Sequence, residues 1–172
     1  MKAFLRYWFP ILLWMAIIFA GSTDLMSAEH TSRIIAPLLR WFIPTMSPLT
    51  MLRVEFFLRK AAHVSEYAVL AVLLYRAFVH TVFKSHRVLS AGLVLLSCVA
   101  YAASDEFHQS FVPSRTASLR DVTIDLGGAT LAVLLYWSIA TRRKSLIVPR
   151  NFRRRGPDWA RTSDPALIKR ML

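Results

Sequence analysis

The sequence predicts an all-α fold, an integral membrane bundle of four spanning helices with both chain ends in the cytoplasm (N-in/C-in). Three observations predict it. Hydrophobic residues fill 55% of 172 positions, mean hydropathy is +0.42 and charged residues are only 19%, outside the range of ordinary soluble domains. The apolar residues gather into four runs: the second and fourth reach the roughly 20 residues a spanning helix needs, and the shorter first and third are extended by flanking residues, Ala3–Leu5 around Arg6 for the first. Basic residues crowd one set of run ends.

The first run is Tyr7–Ala20. Lys2 and Arg6 before it and Ala20-Gly21-Ser22 after it fit a cleaved leader as well as a span. Trp8, Phe9, Pro10, Trp14 and Met15 make the run bulky, which favours an uncleaved helix. The second run is Ala61–Phe83, interrupted by His63, Glu66, Arg76 and His80. The uncharged third run, Val88–Ala103, is completed on its outer side by Tyr101 and the following small residues. The fourth, Val122–Thr141, carries one charge, Asp125. Helices are the open-chain answer in lipid because each backbone polar group must be paired within the segment.

Between the first two runs, Ser22–Lys60 carries Pro37, Pro44 and Pro48 among Ile34, Ile35, Leu38, Leu39, Trp41, Phe42 and Ile43. Arg33 and Arg40, seven apart, share a helical face. The expectation is a proline-broken amphipathic segment, either at the outer interface with Trp41 as anchor or packed over the bundle. Residues 1–143 form the membrane domain and 144–172 a basic, disordered tail.

Topology follows from the basic residues. With the N-terminus inside, Lys2, Arg6, Lys84, Arg87 and ten tail residues give fourteen cytoplasmic charges. Seven face outward: Arg33, Arg40, Arg53, Arg59, Lys60, Arg115 and Arg120. The chain is thus expected to be a multi-pass protein of the inner (cytoplasmic) membrane, in contact with membrane lipids. The formal charge of +12 does not point to nucleic acid, because ten of 22 Lys and Arg lie after residue 141. A basic flank beside an apolar run sets topology or touches anionic lipid. The single Cys98 excludes an internal disulfide.

Eight of ten acidic residues lie at or beside the outer run ends: Asp24, Glu29, Glu55, Glu66, Asp105, Glu106, Asp121 and Asp125. Ionisable groups near hydrocarbon turn to a wet or paired interior and mark function. On the second helix Arg59, His63 and Glu66 fall at i, i+4, i+7, flanked by Lys60 and Tyr67. At the third run's exit Tyr101, Asp105 and His108 share a face beside Glu106 and Gln109. Phe107, Phe111 and Val112 argue that this stretch stays partly buried until Pro113. At the fourth run's start Asp121 and Asp125 are one turn apart. Arg115 or Arg120 is placed to neutralise them, and Gly128 allows another helix close.

One outer pocket is expected to collect Lys60, His63, Glu66, Tyr67, Asp105, Glu106, His108, Gln109, Arg115, Arg120, Asp121 and Asp125 as ligand-binding residues. The residue types allow three readings. Cations grip a phosphate or carboxylate on an anionic ligand. Glu66, Asp105, Glu106, His63 or His108 serves an enzyme as acid or base on a phosphorylated lipid or glycan. Or the charges form a structural network that locks the helices. No H-E-x-x-H spacing is present, and no metal or cofactor is expected.

The run Lys60-Ala61-Ala62-His63-Val64-Ser65-Glu66-Tyr67, then Ser104-Asp105-Glu106-Phe107-His108-Gln109-Ser110-Phe111-Val112-Pro113-Ser114-Arg115, then Arg120-Asp121-Val122 and Asp125 to Gly128, resembles the VanZ-like family of small bacterial membrane proteins. This chain departs from the family's pattern with Ser114, where Gly is frequent, and Asp125, where Asn is frequent. The resemblance implies a membrane fold and a cell-envelope context, and supplies no reaction. In that context the outer pocket is expected to recognise a lipid-linked precursor, another envelope component or a glycopeptide. The family takes its name from a member associated with low-level teicoplanin resistance.

Overall fold

The computed structural model describes residues 2–24, 27–83 and 86–147. The described residues hold five α-helices and no strand: α1 (Lys2–Ser22), α2 (Ala28–Phe42), α3 (Pro48–Ala77), α4 (Arg87–Gln109) and α5 (Leu119–Ile147). Among the described residues, four stretches are long and apolar enough to cross a membrane: Phe4–Ser22, Pro48–Val82, Arg87–Gln109 and Leu119–Ala140. Large apolar side chains stand exposed on every helix, among them Phe9, Trp41, Phe57, Leu96 and Leu131. Soluble monomers do not display so much contiguous apolar surface; on a spanning helix lipid covers it.

The chain divides into two units, Met1–Leu135 and Tyr136–Leu172. The second opens with the last turns of α5, which runs to Ile147. Helix therefore covers 144–147, which the sequence assigned to the tail. The rest of the expected disordered tail lies outside the described residues.

Within the first unit the core is narrow. Ile11 and Ile18 of α1, Tyr67, Leu70 and Ala71 of α3, Val94, Cys98 and Ala102 of α4, and Ala129 of α5 are all nearly inaccessible. Small residues at four of these nine positions, Ala71, Cys98, Ala102 and Ala129, bring the helices close, the packing mode available where lipid removes the hydrophobic drive. At the far end from the polar residues, α3 finishes in a π turn, Phe78–Val82. There the Trp8 indole donates to the Thr81 hydroxyl at 3.2 Å, and the rings of Tyr7 and His80 stack at 5.0 Å. At the other end Gly21 of α1 lies beside the Glu66 carboxylate. The two contacts fix α1 antiparallel to α3.

That register has a consequence for α3. Its helical stretch to Val82 is 35 residues long. At 1.5 Å per residue this is about 52 Å, against a hydrocarbon core of about 30 Å. Residues 48–60 therefore run roughly 20 Å past the end of α1 along the α3 axis. The sequence placed this stretch in a loop because Arg53, Glu55, Arg59 and Lys60 break its apolar pattern. Ser47 nevertheless caps it, accepting from Thr50 N at 3.2 Å, with Pro48 in the first turn.

Helix α2 packs beside this extension. Its Ser32 hydroxyl donates to Glu55, which is buried. Of the prolines expected to break this segment, Pro37 does not: the helix continues through it to Phe42. One lost backbone bond is outweighed by docking on α3. The break falls at Pro44, which forces Ile43 out of the helical region to φ −135°, ψ 80°.

Candidate functional site

Three helix ends and one connection meet at the same end of the unit: the end of α1, the middle of α3, the end of α4 and the start of α5, closed by 110–118. Helix α4 continues through the dense polar stretch as far as Gln109, so Asp105, Glu106, His108 and Gln109 are helical. Phe107 and Phe111 do not bury this stretch as the sequence suggested. Both are exposed, their rings edge to face at 5.0 Å, and the buried face is the polar one.

Helices α3 and α5 meet where a glycine permits it. A Cβ on Gly128 would stand 2.5 Å from the Val64 carbonyl oxygen and 3.1 Å from its Cα. This close approach places Lys60 against Asp121 as an ion pair with hydrogen-bond contact. One turn deeper it sets His63 Nδ1 3.6 Å from Asp125 Oδ1. Asp125 is 1% exposed. The cation on Asp121 is thus Lys60, not Arg115 or Arg120 as the sequence suggested.

Arg115 turns the other way. Its guanidinium donates to the carbonyl oxygens of Gly21 and Thr23, the unsatisfied end of α1, the latter at 3.1 Å. Burial lowers its pKa from the usual arginine value; Asp105 raises it and Arg59 lowers it again. The group remains a cation. Ser114 donates to Asp24 and fastens the same connection to the end of α1.

Asp105, 4% exposed, accepts the Ser22 hydroxyl at 2.7 Å and the Gln109 amide at 2.9 Å on one oxygen. Glu106 accepts the Ser118 backbone N–H at 2.6 Å. Among the described residues, His63 Nδ1, Tyr67 Oη, Asp105 Oδ1, Glu106 Oε1 and Asp125 Oδ1 are buried without a hydrogen-bond partner. Unpartnered buried polar atoms cost stability, and five of them lie in this one region.

A cavity of about 260 Å³ opens beside them. Its wall brings together Arg59, Lys60, His63, Gln109, Arg115 and Asp121, completed by Phe56, Ser114 and Thr116. Three cations thus face one carboxylate, which Lys60 already engages. Arg59 has no hydrogen-bond or ion-pair partner among the described residues, and the charge of Arg59 and that of Arg115 repel across the space.

Of the residues expected to share a pocket, Lys60, His63, Gln109, Arg115 and Asp121 line this cavity. Asp105, Glu106 and Asp125 are buried away from its wall, and Glu66, only half-buried, stands beside Gly21 of α1. Tyr67 is wholly buried, with its ring 6.3 Å from Tyr101. His108 sits against Phe19 at 4.6 Å, and Arg120 is exposed. No group of three His, Cys, Asp or Glu able to hold a metal is formed among the described residues. Of the other acidic residues, Glu29 pairs with Arg33 at 2.8 Å on α2, and Glu55 holds α2 to α3. Sequence reasoning named neither Phe56 nor Ser118 and gave Ser22 no role; only the ending of a span in Gly21-Ser22 signals the last.

A family model described as VanZ/LLP1 matches residues 7–141, which include every residue of the cavity wall. The chain belongs to the VanZ/LLP1 family. No curated protein and no solved structure matches it. As a VanZ/LLP1 membrane protein it keeps its polar residues at one common end of its spans, inside a region that the family model covers.

Proposed function

We propose that this VanZ-like membrane protein binds an anionic component of the cell envelope, a lipid-linked precursor or a related phosphate-bearing molecule, in the cation-lined cavity. On the N-in/C-in topology the cavity opens at the outer leaflet. The observation that carries the reading is Arg59: a half-buried guanidinium facing Arg115 across a cavity without a counter-charge of its own. An anion between them relieves the repulsion and accepts charge-assisted hydrogen bonds from both. A structural network would pair every charge it buries, since an unpaired one is costly.

A second reading has its own support. Asp105, Glu106 and Asp125 each carry a buried oxygen without a hydrogen-bond partner, and His63, which lines the cavity, stands 3.6 Å from the one on Asp125. Such groups are suited to acid–base work on a phosphorylated lipid or glycan. Sensitivity to glycopeptides such as teicoplanin is the phenotype to score in either case.

The test compares Glu66→Gln, Asp105→Asn, Arg115→Ala and Asp121→Asn with wild type for protein abundance and glycopeptide sensitivity in the same cells. The binding reading expects Arg115→Ala to lose the phenotype at normal abundance. Loss of the protein in all four variants returns the charges to a structural role. Loss of phenotype confined to Asp105→Asn, at normal abundance, favours the enzyme.

A further inference from the structure

The cavity has a neighbour. Leu52, Arg53, Phe56 and Phe57 line an apolar recess of about 500 Å³ on the part of α3 that extends past the other helix ends. Phe56 belongs to both walls. The Lys60 ammonium stands over its ring at 5.4 Å. Read along α3 from the bilayer outward, the order is hydrocarbon-facing helix, then the cations Lys60 and Arg59, then an aromatic shelf one turn further. One turn is about 5.4 Å.

A ligand that fills this sequence of surfaces has three parts. A lipid chain stays in the bilayer, where transfer of its apolar surface to water is avoided. A phosphate sits at the cation layer. A bulkier group beyond it covers the shelf. That last group lies in water on its other side, so it must be polar overall yet present an apolar face. A sugar ring meets this requirement, because its C–H face lies against the negative face of an aromatic ring while its hydroxyl edge takes hydrogen bonds from Arg53. A second acyl chain does not, since it would be drawn away from the bilayer. A lipid bearing phosphate alone leaves the shelf uncovered.

We propose that the site takes a lipid whose sugar headgroup is joined through phosphate, with the phosphate among Arg59, Lys60 and Arg115 and the sugar on Leu52, Phe56 and Phe57. This rests on the anion-binding reading above and adds the shelf as the element that distinguishes a glycosylated lipid phosphate from a bare one.

The experiment uses full-length protein in phosphatidylcholine nanodiscs, titrated with polyprenyl phosphate, polyprenyl phosphoryl glucose, free polyprenol and soluble glucose 1-phosphate. Wild type is expected to bind the glucosylated lipid about tenfold more tightly than the bare lipid phosphate, and the soluble sugar phosphate far more weakly. Phe57→Ala, at a ring that lines the shelf and not the cation cavity, should erase the tenfold preference and leave the bare lipid phosphate unchanged. The ring is largely exposed, so the fold tolerates the change; Leu52→Gln, also exposed, is the independent second variant. Arg59→Ala should weaken both lipids. Equal binding of the two lipids, with Arg59→Ala still weakening both, overturns the shelf and leaves the anion reading standing. Binding of neither lipid above polyprenol overturns both. Glucose 1-phosphate binding as tightly as the glucosylated lipid overturns the lipid assignment.

Discussion

Lys60 and Arg59, adjacent cations that sequence alone does not tell apart, have opposite parts in this structure. Lys60 is committed to Asp121; Arg59 is uncommitted among the described residues. Asp121→Asn should therefore lower stability by about 1–3 kcal/mol, because it strands a part-buried ammonium. The double variant Lys60→Met/Asp121→Leu should recover most of that loss, as apolar replacement of buried pairs does. Thermal unfolding of the purified variants measures both, and a single variant as stable as wild type would show that the pair contributes little. Ser22→Ala removes one of the two donors on Asp105 and should cost about 1–3 kcal/mol in the same assay. Helical spacing disclosed that Arg59, His63 and Glu66 share a side and that Asp121 and Asp125 do. It could not disclose that His108 meets Phe19 or that Glu106 meets Ser118 N–H, because polar residues surround the end of α4 and periodicity does not say which side turns inward.

At the scale of elements, the site depends on one helix crossing. Gly128 and Gly127 are adjacent, but a Cβ on Gly127 meets nothing within 4 Å, whereas on Gly128 it meets the Val64 backbone. Gly128→Ala should push α5 from α3, separate Lys60 from Asp121 and His63 from Asp125, and cost about 1–3 kcal/mol as overpacking does. Gly127→Ala should be neutral or slightly stabilising. Equal melting temperatures for the two variants would contradict the crossing. Gly128 was legible in the sequence, since a glycine close to the Asp121–Asp125 side has few other uses in a span. The long N-terminal extension of α3 was not. Four charges in 53–60 read as loop, yet the buried Glu55 is satisfied by Ser32 of a helix far away in sequence, a partner that no local pattern announces.

For the whole molecule, composition and run length were enough to give four spans, and the family match agrees with the motif residues that pointed to it. Orientation is a separate matter, which the count of basic residues addresses. We expect Thr116→Cys, at the cavity wall and exposed, to react with a membrane-impermeant thiol reagent on intact cells. Native Cys98 is buried and should stay silent. Labelling that requires permeabilised cells would place the cavity in the cytosol.

On the proposed function, the unpaired Arg59 of the membrane-end cavity serves an anion. Native mass spectrometry of wild type and Arg59→Ala in nanodiscs supplied with polyprenyl phosphate, read beside their melting temperatures, addresses it most directly. We predict a bound lipid phosphate on wild type that is lost in Arg59→Ala, with the melting temperature of the ligand-free protein unchanged. Retention of the lipid by Arg59→Ala, or collapse of its fold, would contradict the account.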